Sequence, residues 1–319
     1  MSAPRLSAPP PSAPTFLRRV RAFVKLGRPL FLGGGFFMYA LGAALAVYAG
    51  VEIDWHRYAW GQLAVTSIQL ATHYANDYFD VAADRANTTP TRWSGGSRVL
   101  VDGTLSPRVA VGTALALTAV ALFTAAYFAT GPFPRSVVPG VLLMATLSWA
   151  YSAPPLRLCA RGLGELTTAF VVTFMVPWLG FVLQMGVTWR LMPLAVIPLC
   201  MFQFAMLLVI EFPDAAGDAA TGKRTLVVIL GGPWAARLYV GLVCAAYLTL
   251  PLWVSRGLPP RLAFAAAATA PVAAWQVTRV AGGAWRERDR WESLAFWSVA
   301  LLISTSAVMI LAALTGHLP

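Results

Sequence analysis

Charge is what this chain has least of. Asp, Glu, Lys and Arg make up 12% of it, against 58% hydrophobic residues, and that is about half the charged share of an ordinary globular domain. A soluble fold of 319 residues could not be clothed with so little polar surface, so the chain reads as a polytopic membrane protein. Lysine is scarcer still, with Lys25 and Lys223 the only two among 24 basic residues. The arginines lie between apolar stretches and form no continuous stripe. Despite a net charge of +11, that distribution argues against nucleic acid as a partner. Cysteine is also rare: Cys159, Cys200 and Cys244 stand far apart, with neither metal-ligand spacing nor a pairing pattern, so no disulfide is expected.

Long apolar runs are present instead. A bilayer core about 30 Å thick needs roughly 20 apolar residues per helix, and nine stretches qualify: 28–49, 58–76, 108–130, 136–152, 164–186, 191–212, 232–254, 262–281 and 293–314. The predicted fold is therefore all-α, a polytopic bundle of about nine transmembrane helices. Pro177, Pro198, Pro251 and Pro271 fall inside these stretches and predict kinks. Residues 1–15 are rich in Ser, Ala and Pro and are expected to be disordered, leaving 16–319 as a single transmembrane domain. No cleavable signal peptide is expected, because the first apolar stretch is long and follows a basic segment. With the N-terminus in the cytoplasm, only Arg57, Arg135, Arg190, Arg256 and Arg261 of the 24 basic residues fall outside, as the positive-inside rule requires. The acids gather on the same cytoplasmic face, with only Glu52 and Asp54 outside.

Two acidic clusters stand out. N-D-Y-F-D-V-A-A-D supplies Asn76, Asp77, Asp80 and Asp84, and E-F-P-D-A-A-G-D supplies Glu211, Asp214 and Asp218. In both, the acids are spaced i, i+3, i+7, which puts them on one helical face. Each cluster precedes a glycine-bearing basic segment, G-S-R-V-L-V from Gly96 and G-K-R-T-L-V from Gly222. Facing stacks of carboxylates repel unless something positive lies between them. Oxygen ligands on rigid helices suit Mg²⁺, which takes a few carboxylates, waters and substrate phosphates. Arg98, Lys223 and Arg224 are then placed to hold the outer oxygens of a diphosphate. One such Asp alone would read as a solvated loop charge. Two spaced triplets abutting a membrane core read as a functional site.

These motifs resemble the two aspartate-rich motifs of the UbiA superfamily of membrane prenyltransferases. The likeness extends through S-G-G-S-R-V-L-V-D-G-T-L-S-P at 94–107, Y-S-A-P-P-L-R-L at 151–158, R-G-L-G-E-L at 161–166 and G-K-R-T-L-V-V at 222–228. Within the superfamily, E-F-P-D followed by G-K-R-T-L is most similar to the 1,4-dihydroxy-2-naphthoate polyprenyltransferase branch of menaquinone synthesis, many of whose members carry Asn where Ile210 stands here. The resemblance implies a helix bundle around a central cavity, in a bacterial cytoplasmic membrane, that transfers a polyprenyl group from an allylic diphosphate to an aromatic acceptor with Mg²⁺ as cofactor. It assigns Asn76, Asp77, Asp80 and Asp84 to the first magnesium–diphosphate motif, and Asp214 and Asp218 to the second. Lys223 and Arg224 become the basic pair after it, Arg28 a basic position on the first helix, and Tyr151 and Ser152 the loop that closes over the reacting carbon. For a naphthoate, Arg157 or Arg161 is expected to hold the carboxylate. Hydroxybenzoate, homogentisate, haem, chlorophyllide and lipid-glycerol acceptors remain open, and so, from another class, does a transporter whose acids couple ions. Transporters tend to place such residues near the bilayer midplane, whereas these sit at helix ends.

Other residues are expected to do less. His73, four before Asp77, reads as a packed core histidine, and His56 and His317 have no role. Glu165 reads as complementing the dipole of the helix it begins, Glu211 as lying just behind the second motif, and Asp102 as an ion-pair partner of Arg98 or Arg108.

Overall fold

The computed structural model describes residues 15–316. The expected disorder of the N-terminal tail falls, apart from Thr15, outside the described residues, as does His317. Helices are α1 (Phe16–Leu26), α2 (Pro29–Tyr48), α3 (Trp55–Phe79), α4 (Val81–Ala86), α5 (Pro107–Ala129), α6 (Pro134–Ser152), α7 (Gly164–Phe170), α8 (Val176–Met185), α9 (Leu191–Glu211), α10 (Ala215–Ala220), α11 (Leu226–Leu230), α12 (Gly232–Leu248), α13 (Leu250–Ser255), α14 (Pro260–Ala267), α15 (Ala270–Ala281) and α16 (Trp291–Leu314). Among the described residues there is no strand, only a lone bridge between Arg161 and Arg224. Pro29–Tyr48, Pro107–Ala129, Gly164–Met185, Leu191–Glu211 and Arg288–Leu314 are long and apolar enough to cross a bilayer.

Helix starts follow local chemistry. Asp54 caps α3 by accepting from the Arg57 amide at 3.0 Å. Ser106 caps α5, whose first residue, Pro107, has no amide to leave unsatisfied. Prolines also set most of the breaks. A proline cannot donate to the carbonyl four residues back, and its ring crowds that carbonyl. Pro251 and Pro271 therefore divide two of the expected continuous helices into α12 and α13, and α14 and α15. Before Pro177 the chain widens into a π-helical turn, Val171–Met175, between α7 and α8. Pro198, by contrast, is carried inside an unbroken α9, so its predicted kink leaves no break there.

Small residues let the central helices meet closely. A Cβ on Gly42 would lie 1.9 Å from the Pro177 carbonyl oxygen, and one on Gly180 would lie 2.4 Å from the Tyr39 oxygen. α2 and α8 thus touch backbone to backbone, the mode of packing that small residues permit in apolar bundles. The main core runs through α2, α3, α8, α9, α12 and α16, around Tyr39, Phe181, Phe202 and Tyr239. A second, smaller cluster of Leu26, Tyr74, Val99, Leu100 and Ala110 joins α1, the end of α3 and the start of α5. That cluster anchors the 87–106 loop over the acidic end of α3.

Candidate active site

Both acidic clusters form where a long helix gives way to a short one. Asp80 lies at the junction of α3 and α4, and Asp214 lies between the end of α9 and the start of α10. α4 packs on α10, so the two clusters face each other. Asn87, just after α4, donates to Asp214 Oδ1 at 2.6 Å, and the Gly95 amide donates to Asp214 Oδ2 at 3.0 Å.

Two cations stand among the carboxylates. Arg28 donates through Nε to Asp77 Oδ1 at 3.0 Å and through Nη2 at 2.5 Å. Lys223 bridges the two clusters, 2.8 Å from Asp80 Oδ2 and 3.4 Å from Asp218 Oδ1. Burial alone would lower the Lys223 ammonium, but Asp80 and Asp218 hold it well above the usual lysine value. The acids respond to the same burial. It pushes Asp84 up to about 7 against the attraction of Arg28, and Asp218 up to about 6 against Lys223. Asp214 is raised by burial too, while the Gly95 amide pulls it down.

The predicted site residues therefore divide into groups. Asn76, Asp77, Asp80, Asp84, Asp214, Asp218, Arg28 and Lys223 converge. Asn76 donates to Asp80 Oδ2 at 2.9 Å and to Ser152 Oγ at 3.1 Å, which draws Ser152 in, and Tyr151 lines the adjoining cavity. Arg98 joins only indirectly, because its Nη1 donates to the main-chain oxygen of Asp84. It does not pair with Asp102, which forms no ion pair among the described residues. Arg224 is exposed and uses its main chain instead, its amide donating to the Ala160 oxygen at 3.2 Å. Arg157 is held in a left-handed conformation at φ 44°, and its guanidinium has no partner among the described residues. Arg161 reaches the Pro155 oxygen at 2.7 Å.

Several contributors had little or no signal in the sequence. Ser97 gives Asp77 Oδ2 both its amide, at 3.0 Å, and its hydroxyl. Its glycine-rich segment was visible, but the hydroxyl's partner was not. Gly96 must be glycine: its φ is +68°, and a Cβ there would lie 2.0 Å from Asp84 Oδ2. Asn87 carried no signal at all. Glu165 is wholly buried and does more than complement its own helix. Its Oε1 accepts from the Leu226 amide of α11 at 3.1 Å, which ties α7 to α11. Its Oε2 and that of Glu211 are buried without a partner.

Beside the carboxylates lies a cavity of about 390 Å³, lined by Arg28 and Asn76 and walled by Phe31, Val172, Met206 and Leu302, among others. Among the described residues no three His, Cys, Asp or Glu side chains form a closed metal cage. Asp80 Oδ1 and Asp218 Oδ2 are nevertheless buried without a partner, and a buried carboxylate oxygen is costly to leave unpaired.

Residues 36–300 match the model of the UbiA prenyltransferase family. The chain belongs to that family. Over 224 residues, 70% of each chain, it is 24% identical to the 1,4-dihydroxy-2-naphthoate octaprenyltransferase of Bacillus subtilis. Its fold is shared with a UbiA homologue from Aeropyrum pernix (TM-score 0.64, 20% identity, 86% of this chain and 97% of that one). A UbiA homologue from Archaeoglobus fulgidus solved with GPP and Mg²⁺ is also similar, at TM-score 0.59 and 16% identity over 90% and 99% of the two chains. In this UbiA chain the two aspartate motifs meet across Lys223.

Proposed function

We propose that this UbiA protein is an integral-membrane, Mg²⁺-dependent enzyme that transfers a polyprenyl group from an allylic diphosphate to an aromatic acceptor, 1,4-dihydroxy-2-naphthoate before the others. One observation carries the reading: Asp80 faces Asp218 across Lys223, and Arg28 and Asn76, which bond Asp77 and Asp80, line an apolar cavity. The naphthoate acceptor rests on the Bacillus subtilis relative and on the E-F-P-D and G-K-R-T-L segments.

The residues fit the metal. Asp80 Oδ1 and Asp218 Oδ2 are hard oxygens already desolvated and unpaired, as a divalent cation requires. Asn76, with its amide nitrogen engaged, keeps its carbonyl oxygen for the same purpose. Asp84 completes the set, and Asp214, whose oxygens accept from Asn87 and the Gly95 amide, holds the 87–95 segment beside it. Bound Mg²⁺ would neutralise the charge that grows on the departing diphosphate. Arg28 and Lys223, fixed by carboxylates of the first and second clusters, present charge to the outer diphosphate oxygens. The walls of Val172, Met206, Leu207 and Leu302 hold the prenyl chain and keep water from the allylic carbon.

We read the nine helical stretches as the membrane crossings and place the acidic end in the cytoplasm. The amphipathic α1 supports that placement. Phe16, Leu17, Val20 and Val24 are exposed along one side, with Arg18, Arg21 and Lys25 on another, as suits a helix lying at an anionic headgroup surface. Substitution tests the site directly. Asp80→Asn and Asp218→Asn should each lower Mg²⁺-dependent prenyl transfer at least about a hundredfold without altering helix content. Undiminished transfer in both variants would refute the assignment.

A further inference from the structure

The end of the cavity away from the carboxylates carries one polar side chain. On the helices that wall it, the lining residues farthest from the acidic end are Phe37 on α2, Val65 on α3, Met144 on α6, Val176 on α8, Gln203 on α9 and Ile303 on α16. All but Gln203 are apolar. Gln203 is only 5% exposed, and what it exposes borders the cavity. Together with Met206, Leu207 and Ile210 it is spaced i, i+3, i+4 and i+7, so these four lining residues make one face of α9. Gln203 sits at the inner end of that face, seven residues, about 10 Å, from Ile210.

Its amide forms no hydrogen bond among the described residues. Polar lining residues nearer the carboxylates are engaged. Gln69 donates to the Phe31 oxygen at 2.7 Å, Thr72 bonds Ser148 at 2.5 Å, and His73 Nδ1 bonds the Gly27 oxygen at 2.8 Å. Asn76 serves Asp80 and Ser152. A primary amide brings two donors on nitrogen and an acceptor oxygen, and neither lipid tails nor apolar side chains can satisfy them. A methionine of similar length would pack in the same place, so the amide answers to what the cavity holds. Water filling the empty cavity can pair with it. A hydrocarbon chain cannot.

We propose that Gln203 limits the length of the prenyl chain that the cavity accepts. The proposal rests on the prenyltransferase reading above, in which the chain lies along Met206 and Leu207. Gln203 is one turn farther in on the same face. A chain that stops on Met206 and Leu207 leaves the amide hydrated. A longer one presses hydrocarbon onto the amide, removes its water and returns neither donor nor acceptor, and the stranded polar group counts against binding. Selection is thus made by penalising the wrong donor rather than by adding a contact to the right one. The donor class this defines is an allylic diphosphate whose last isoprene unit rests before Gln203.

The test uses the full chain in lipid nanodiscs with Mg²⁺, one aromatic acceptor and allylic diphosphates lengthened one isoprene unit at a time from geranyl. Gln203→Met removes the hydrogen-bonding groups at nearly constant length, and Gln203→Asn keeps an amide in a smaller side chain. The readout is kcat/KM for each diphosphate relative to geranyl diphosphate in the same variant, so a uniform loss of folded protein cancels. In Gln203→Met the ratio should rise about 5–100-fold, as a step that begins at one chain length, while Gln203→Asn should keep the parent's limit. A length profile in Gln203→Met equal to the parent's overturns the role of Gln203 and leaves the prenyltransferase reading intact. The same step in Gln203→Asn also overturns it, because volume rather than polarity would then set the limit. Failure of the parent protein to transfer any prenyl group overturns both.

Discussion

Asp77 and Asp80 lie less than one helical turn apart, yet their oxygens are used differently. Both oxygens of Asp77 are taken, Oδ1 by Arg28 and Oδ2 by Ser97, whereas Asp80 keeps Oδ1 unpaired. Asp77 therefore orients the arginine, and Asp80 is free for a cation. Groups that orient a metal site from behind typically cost 10–100-fold in affinity or activity when removed. Ser97→Ala deletes the hydroxyl and keeps the amide, so it should weaken Mg²⁺-dependent diphosphate binding by about tenfold, measurable by calorimetry. The acids also predict a pH dependence. Asp84 near 7 and Asp218 near 6 both exceed the ordinary carboxylate range because burial favours their neutral forms. The folded state then holds protons that the unfolded chain releases. Stability of the metal-free protein is fully present below the unfolded carboxylate value and declines as pH rises through 6 and 7. Mg²⁺ needs the ionised forms and must expel those protons. Titrating Mg²⁺ into protein at pH 6 should release protons and require more metal, whereas at pH 8.5 binding should tighten and release almost none. Equal proton release at both pH values would contradict the assigned burial.

At the scale of elements, the site depends on how α2 approaches α8. α2 carries Arg28 at its head and touches α8 through Gly42, whose Cβ would strike the Pro177 carbonyl. The clash is with backbone, so it cannot be relieved by a rotamer change. Gly42→Ala should cost about 1–3 kcal/mol, read as a lower unfolding midpoint, and should lower activity by shifting Arg28 relative to Asp77. The breaks were only partly legible in the sequence. Pro177, Pro251 and Pro271 marked places where an amide is missing, but whether a helix breaks, widens or continues there depends on neighbouring helices. The same residue type gives a π-helical turn before Pro177 and an uninterrupted helix at Pro198.

For the molecule as a whole, composition was enough to read an all-helical membrane chain, and the spacing of the acids was enough to mark both triplets, although the helix breaks inside each, at Asp80 and at Asp214, so no triplet lies on one unbroken helical face. Composition and spacing are local properties, legible from a few residues at a time. The partners that finish the site are not local. Asn87 reaches Asp214 across 127 positions of sequence, and Lys223 reaches Asp80 across 143, so only packing reveals which amide or ammonium meets which carboxylate. Glu165 shows the same limit. Its place at a helix start suggested a dipole partner, and its contact with α11 could be seen only in three dimensions. His73 looked like core because a lone histidine on an apolar helix usually is, and the cavity beside it leaves no mark in the sequence. On the proposed reading, these pieces make a Mg²⁺-dependent prenyltransferase acting on an aromatic ring. The most direct measurement is mass spectrometry of the products formed when protein in lipid receives an allylic polyprenyl diphosphate, Mg²⁺ and a panel of aromatic acceptors. A prenylated, decarboxylated naphthoate that disappears when EDTA is added is the predicted result. Mg²⁺-independent product, or no prenylated aromatic from any acceptor, would contradict it.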